Sequence, residues 1–334
     1  MNTYLVTTTY RKKTRSVIWI ITEEDNKFEV KEGVIYTKED NPYIPSISDW
    51  WVGWGAANYN EKLYLSECNG IRIVDNQFNT LKRYHNKDLL YDVHDLNIIQ
   101  DKIYVANTGC DRVEIFDLDL NHLETIDLHN LSKLCNIKTK SKDKESALYD
   151  SFHINFIEEH KGDIYLTFSF IYEKYGNFKI NMKFPFFQIS PKQSPGAIYN
   201  LSKRTFFAKN LKGVHDGVWV KNSVWVTHTH NMSIDVFKED GNLKNQKLFE
   251  NLAVYRGLVV TDKYIITGAT RVDYSRTAAQ RVYKPLFEER KGKIYEKSKI
   301  IVLNRENFDE IYSIDLPDHD GVSPEIFKII QIDN

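Results

Sequence analysis

The stretch GVHDGVWVKNSVWVTHTHN, beginning at Gly213, sets three histidines and an aspartate among alternating apolar residues. A strand that only has to bury one face has little use for so many titratable rings. Two further segments open similarly, with His94 in YDVHDLNII and His153 in SFHINFIEE. Imidazole in its neutral form is a common ligand for zinc, iron, copper or nickel, and three rings meeting at one point leave coordination positions open for water or substrate. His94, His153 and His215 are therefore the expected ligands of a divalent metal ion whose identity the sequence does not fix. Asp216 is an expected partner in that chemistry, orienting a water or a ring. His228 and His230, which alternate with Thr227 and Thr229, are candidate general acids or bases, because the unperturbed histidine pKa of about 6.5 lies near working pH. Arg256 and Arg271 carry fixed positive charge suited to bidentate contact with a carboxylate, sulfate or phosphate. Trp54 offers a flat wall, and Glu67 and Asn107 add polar contacts for a substrate.

These residues are far apart in the chain, so a repeated element has to bring them together. WVGWGAANYNEKLYLSECNGIRIVDNQFNTLKRY from Trp51 and YDVHDLNIIQDKIYVANTGCDRVEIFDLDLNHLETI from Tyr91 share one plan of four short strands separated by polar turns. The same plan recurs from Ser151, from Gly213 and from Val254, which makes five copies. Repeats of roughly 40 residues with four strands each have the size of a propeller blade. A sixth blade is assembled from both ends. PEIFKIIQID near the C-terminus reads as a lone first strand, while TYLVTTTY, SVIWIITEED and KFEVKEGVIY read as the second, third and fourth. Joining them closes a ring and removes the exposed edges that a row of sheets would leave. The expected fold is all-β, a six-bladed β-propeller in which the C-terminal strand completes the N-terminal blade. Residues 1–334 form a single domain in this reading.

In such a wheel the first strand of each blade lines the central channel. Aligned on their second strands, the copies place Trp54, His94, His153, His215, Arg256 and Glu325 at the start of the channel strands. Glu67, Asn107, His228, His230 and Arg271 come at the ends of the second strands, and His319 and Asp320 in the loop before the last channel strand, all expected at one mouth. Insertions at about 171–195 and 272–297 fall between second and third strands and are expected over that mouth, since loops longer than about 12–15 residues are commonly functional.

Composition sets further bounds. Lysine and arginine number 45 against 46 acidic residues, so the formal net charge is −1 and a phosphate-tracking surface is not expected. No apolar run approaches the about 18 residues needed to span a bilayer, and the N-terminal residues lack the layout of a signal peptide. The three cysteines form no CxxC pair, so neither a disulfide framework nor a structural zinc site is expected, and the default compartment is the cytoplasm. No GxGxxG, P-loop, GxSxG or HExxH pattern occurs.

The segments VHDLNIIQDKIYVANTGCDRVEIFD, FHIN, GVHDGVW and YRGLVVTDKYIITGATR resemble blade starts of the six-bladed propeller superfamily that includes NHL-repeat proteins and gluconolactonase-type hydrolases. They look closest to an uncharacterised bacterial propeller family with HDL, HLN and RGL signatures. Gluconolactonase-type members hold a divalent cation in a carboxylate and amide cage on the axis. This chain sets histidines at that level, so lactone hydrolysis does not carry over. The resemblance and the residues together imply a metal-dependent lyase, isomerase or hydrolase acting on a small anionic substrate such as a sugar acid. The alternative is a non-catalytic propeller that binds a peptide, glycan or protein partner at the same mouth.

Overall fold

The computed structural model describes residues 1–10, 15–37, 52–128, 131, 152–169, 196–272 and 292–332. These residues form 24 strands in six four-stranded antiparallel sheets. Five sheets run in simple chain order. They are β4–β7 (Val52–Tyr59, Lys62–Glu67, Gly70–Val74, Thr80–His85), β8–β11 (Val93–Ile99, Lys102–Asn107, Arg112–Asp117, His122–Asp127) and β12–β15 (Ile154–His160, Asp163–Phe168, Gly196–Asn200, Thr205–Leu211), followed by β16–β19 (Val214–Val220, Ser223–His228, Ser233–Lys238, Leu243–Leu248) and β20–β23 (Ala253–Val260, Tyr264–Arg271, Lys299–Asn304, Glu310–Asp315). The sixth joins β24 (Glu325–Ile332) to β1 (Asn2–Tyr10), β2 (Arg15–Glu24) and β3 (Lys27–Thr37), in the order β24-β1-β2-β3. The chain is thus a six-bladed β-propeller whose last strand is the channel strand of its first blade, as its repeats predict.

The alternation of residue types along each strand follows from this plan. Every blade is sandwiched between two others, so both of its faces need apolar cover. Trp225 on β17 packs with Leu258, Ile265 and Ile301 of the next blade, whereas its neighbours Val224 and Val226 pack with Tyr165 and Ile198 of the previous one. Six such clusters, one per blade boundary, carry the hydrophobic core, and each fully buried large side chain in them is worth about 1.5–3 kcal/mol. At the closure, Tyr4, Val6 and Trp19 meet Ile266 and Ile300 of the last full blade on one side, and Leu5 and Ile18 meet Leu63 and Leu65 on the other.

Each of the six channel strands is interrupted by a β-bulge against its second strand, and all lie at the same end. The irregularities fall between Val52 and Ala56, Val93 and Asp95, Ile154 and Phe156, Val214 and Gly217, Arg256 and Leu258, and opposite Thr7 and Thr8 at Phe327. A bulge leaves an N–H outside the ladder and re-aims the neighbouring side chains. Hydroxyls on the second strands accept three of these stray donors, with Gly55 N to Ser66 Oγ at 2.7 Å, Lys328 N to Thr7 Oγ1 at 3.1 Å and Asp216 N to Thr227 Oγ1 at 3.2 Å. Successive residues such as His215 and Asp216 can then both serve the channel, which a regular strand forbids.

The insertions foreseen at 171–195 and 272–297 lie between β13 and β14 and between β21 and β22. Residues 171–195 and 273–291 fall outside the described residues. Cys68 and Cys110 are buried. Among the described residues, no helix is long and apolar enough to cross a membrane.

Candidate functional site at the channel mouth

The bulges gather rings from four blades. His94 lies edge-on to Trp54 and to His153, with centroids 4.6 Å apart in both pairs, and its ring centre is 6.4 Å from that of His215. Trp54 stacks on Phe327 of β24 at 4.2 Å, and the Arg256 guanidinium stands 5.1 Å above the Phe327 ring. Trp54, His94, His215 and Phe327 are buried and form the floor, whereas Arg256, His153 and His230 keep partial exposure above them.

His153 does not start a strand as the alignment of repeats suggests. It precedes β12 with φ at 48°, and Asn155 occupies the bulge instead, bonded to Ser169 Oγ and Thr167 Oγ1. The left-handed backbone is what turns its ring toward His94. The last blade also departs from the expected register, because the residue at the bulge level is Phe327 and not Glu325. His230 lies beyond β17, where Gly213 makes room for it. Gly213 has φ at 65° and a side chain there would sit 2.7 Å from the His230 ring, so only glycine meets both demands.

Other expected site residues are turned elsewhere. Glu67 is fully buried within its own blade between Arg72 Nε at 2.8 Å and Arg83 Nε at 2.7 Å. Asn107 accepts from Tyr91 N at 2.9 Å and donates to Leu89 O at 2.7 Å, which fixes the loop leading to His94. His228 faces Asp235 Oδ2 at 3.4 Å inside its blade, where Ser233 and Gln246 also donate to that carboxylate. Arg271 is exposed at the end of β21. His319 packs against the Tyr10 and Trp19 rings and pairs with Glu32, which is a closure contact of the first blade and not an axial one.

Two carboxylates fix the protons of the floor imidazoles. His94 Nε2 lies 3.2 Å from Asp92 Oδ1, and His215 Nδ1 lies 3.0 Å from Asp216 Oδ2. Among the described residues His94 Nδ1, His215 Nε2 and His230 Nδ1 are buried with no hydrogen-bond partner. Burial drives all three rings to the neutral form. It takes His215 down to about 3, against the pull of Asp216, and His230 to about 4, and in both cases the Arg256 charge adds to the effect. His94 is lowered by burial and by His153 and Arg256, opposed by Asp92.

A layer of buried charge closes the channel beneath. Lys328 Nζ, from the closing strand, reaches across to Asp95 at 2.9 Å from Oδ1 and 3.0 Å from Oδ2. Asp95 also accepts from Ile157 N at 3.1 Å, and Asp216 accepts from Gly257 N at 2.7 Å. Gly257 has φ at 69°, which points that N–H back to the neighbouring blade. Burial raises Asp95 to about 6 despite Lys328; for Asp216 the same penalty is outweighed by His215, Lys328 and the Gly257 N–H, so it stays ionised. Sequence reasoning missed both Phe327 and Lys328. A lysine inside the apolar run IFKIIQI was the available signal, since an unpaired lysine is almost never fully buried.

Glu158 lies below this layer and accepts from Trp219 N at 3.0 Å; burial raises its carboxyl to about 8, opposed by Trp219 N–H and Lys328. A carboxyl held above its ordinary 4.5 binds protons in the folded chain that the unfolded chain has already released, so stability falls as pH rises from about 4.5 to about 8. Glu158→Gln should remove that slope. The variant is expected to match the wild type near pH 4.5 and to exceed it by about 2 kcal/mol at pH 8.5, allowing for screening at this partly exposed site. Urea unfolding across that range is the check, and parallel curves would contradict it.

The donor set suits a metal in kind, because neutral imidazoles with open lone pairs are the ligating form. Three rings bound at about 2.0–2.1 Å would hold their centroids roughly 5 Å apart, against 4.6 Å for His94 and His153 and 6.4 Å for His94 and His215. Yet His94 Nε2 faces Asp92, and among the described residues no group of three or more His, Cys, Asp or Glu side chains is arranged to hold a metal ion.

No family model matches the chain, and no curated protein is significantly similar to it. Its solved relatives are distant. The structure of a nidogen/laminin complex is 11% identical, with a TM-score of 0.59, and the match covers 99% of this chain and 98% of that one. A protein of unknown function from Bacteroides caccae is 12% identical with a TM-score of 0.59, over 100% and 99% of the two chains. A streptogramin B lyase is 14% identical over 83% of this chain and 71% of its own, at a TM-score of 0.46 that is too low to bear on chemistry. The likeness is one of fold. It supports the six-bladed propeller and leaves the finer resemblance in the HDL, HLN and RGL motifs without further support.

Proposed function

We propose that the channel mouth is the active site of an enzyme that moves a proton on a small organic anion, in lyase, isomerase or hydrolase chemistry. The observation that carries this reading is the position of Arg256, a partly exposed cation over Phe327 whose charge reaches imidazoles that, among the described residues, keep a nitrogen without a hydrogen-bond partner. Arg256 would bind the anion. Its charge is also a cause of the low proton affinity of His94, His215 and His230. An arriving carboxylate offsets that charge, so substrate itself raises the basicity of the rings around it. His215 is the first candidate to take the proton at Nε2, with Asp216 holding Nδ1–H and stabilising the imidazolium that results.

Because the free rings are already neutral well below pH 6, kcat/KM for such a substrate should stay flat between about pH 5 and 7.5 and not fall with a histidine pKa near 6.5. The experiment incubates the protein with pooled small organic acids in D2O and reads deuterium uptake or new products by mass spectrometry. Turnover that disappears in His215→Asn supports the reading. Acids that bind without change in mass or composition would instead favour a non-catalytic binding propeller.

The 4.6 Å approach of the His94 and His153 rings, with His215 6.4 Å from His94, favours a second reading, in which a divalent ion draws the three together. Such an ion would supply Lewis-acid polarisation of a substrate oxygen. Elemental analysis of protein purified without an affinity tag decides it, with one equivalent of metal in the wild type and none in the triple alanine variant as the positive result.

A further inference from the structure

We propose that the anion accepted at this mouth is a hydroxy acid, with hydroxyls that donate to His94 Nδ1 and His215 Nε2 while its carboxylate pairs with Arg256. This inference rests on the reading of the mouth as an organic-anion site. It follows from counting protons. A neutral imidazole has one N–H, and in each floor histidine that hydrogen faces a carboxylate: Asp92 Oδ1 at 3.2 Å from His94 Nε2, and Asp216 Oδ2 at 3.0 Å from His215 Nδ1. The remaining nitrogen of each ring can only accept. Both are buried, His94 being 7% and His215 4% exposed, and neither has a partner among the described residues. A buried acceptor left unmade is costly, so the site is built for a molecule that brings donors to it.

The surroundings narrow the donor. An ammonium group would face the Arg256 cation, whose charge already reaches both rings. Asp216 Oδ2 already serves both His215 and Gly257 N, and Asp95 Oδ2 serves Lys328 and Ile157 N. A neutral hydroxyl meets the need without adding charge, and two acceptors on rings 6.4 Å apart suit hydroxyls carried on one short carbon chain.

The test needs no variant. EDTA-treated wild-type protein is titrated calorimetrically with hydroxy acids of two to six carbons, their deoxy counterparts and their O-methyl ethers, which accept but cannot donate. At least one hydroxy acid is expected to bind tenfold or more tightly than both its deoxy and its O-methyl analogue, because a site made to pair with a hydroxyl rejects a molecule lacking it. Equal binding of the deoxy acid would overturn the inference while leaving the anion site standing. Failure of every acid to bind would overturn the anion reading beneath it. Binding of hydroxy acids only after a divalent metal is added back would also overturn it, since the lone pairs would then belong to the metal.

Discussion

Lys328→Met is expected to destabilise the protein by about 3–5 kcal/mol, the cost of removing one partner from a buried charge pair. Lys328 is the cation to which Asp95 is bound, and it also lies within the field of Asp216 and Glu158. Without it, burial and the nearby Asp216 charge are opposed only by the Ile157 N–H, and the proton affinity of Asp95 rises above its present value of about 6. A carboxyl raised in this way favours the folded state at low pH and opposes it as pH climbs through the raised value. The loss in Lys328→Met should therefore be larger at pH 8 than at pH 5. Adding Asp95→Asn removes the stranded charge and should recover about 1–2 kcal/mol of the loss at pH 8. Chemical denaturation of the single and double variants at both pH values is the measurement. A loss under about 1 kcal/mol that ignores pH would show that the ion pair is not what closes the throat.

Arg256→Gln should act on binding and spare the fold. Its guanidinium stands at the open rim over Phe327, where the cation–π pair contributes about 0.5–1 kcal/mol to stability. Withdrawing the charge from an incoming carboxylate has the larger effect, and affinity for any anion the wild type binds should fall by roughly 30- to 100-fold, about 2–3 kcal/mol. The same change takes away a force that depresses the imidazoles, so the pKa values of His215 and His230 should rise from about 3 and about 4. A purely structural arginine would move stability and leave both the affinity and the ring titrations where they were. Isothermal titration and histidine NMR on the variant separate these outcomes.

The wheel itself was readable because its physics is local and repeated. Segments such as KLYLSE and SVWVTH are apolar on both faces since each blade is covered on both sides, and the polar turns recur at blade spacing. The split blade was readable too, because PEIFKIIQID has no partner strand near it in the chain and the first three strands lack a channel strand. The site was only half readable. His94, His215 and Arg256 follow from the alignment of repeats, and Trp54 with them. Glu67 and Asn107 sit at the expected ends of their strands, yet their side chains turn into the blade or its loop, because Arg72 and Arg83 in one case and the Leu89–Tyr91 backbone in the other satisfy them first. Which way a residue next to a bulge points depends on one extra residue in the register, and period-two reasoning cannot see it. The serine or threonine opposite the bulge, as in Ser66, Thr227 and Thr7, was the readable trace of that irregularity. Phe327 and Lys328 escaped notice because the strand that carries them looks, taken alone, like plain filling for the core.

The protonation pattern of the floor histidines is where the account stands or falls, and long-range proton–nitrogen NMR of protein labelled at histidine reads it at pH 7. His215 should appear as a neutral ring with its hydrogen on Nδ1, and addition of a binding hydroxy acid should shift its Nε2 resonance and that of His94 Nδ1, while His228 stays still. Rings that are cationic at pH 7, a hydrogen on Nε2 of His215, or nitrogen resonances indifferent to every acid tried would contradict it.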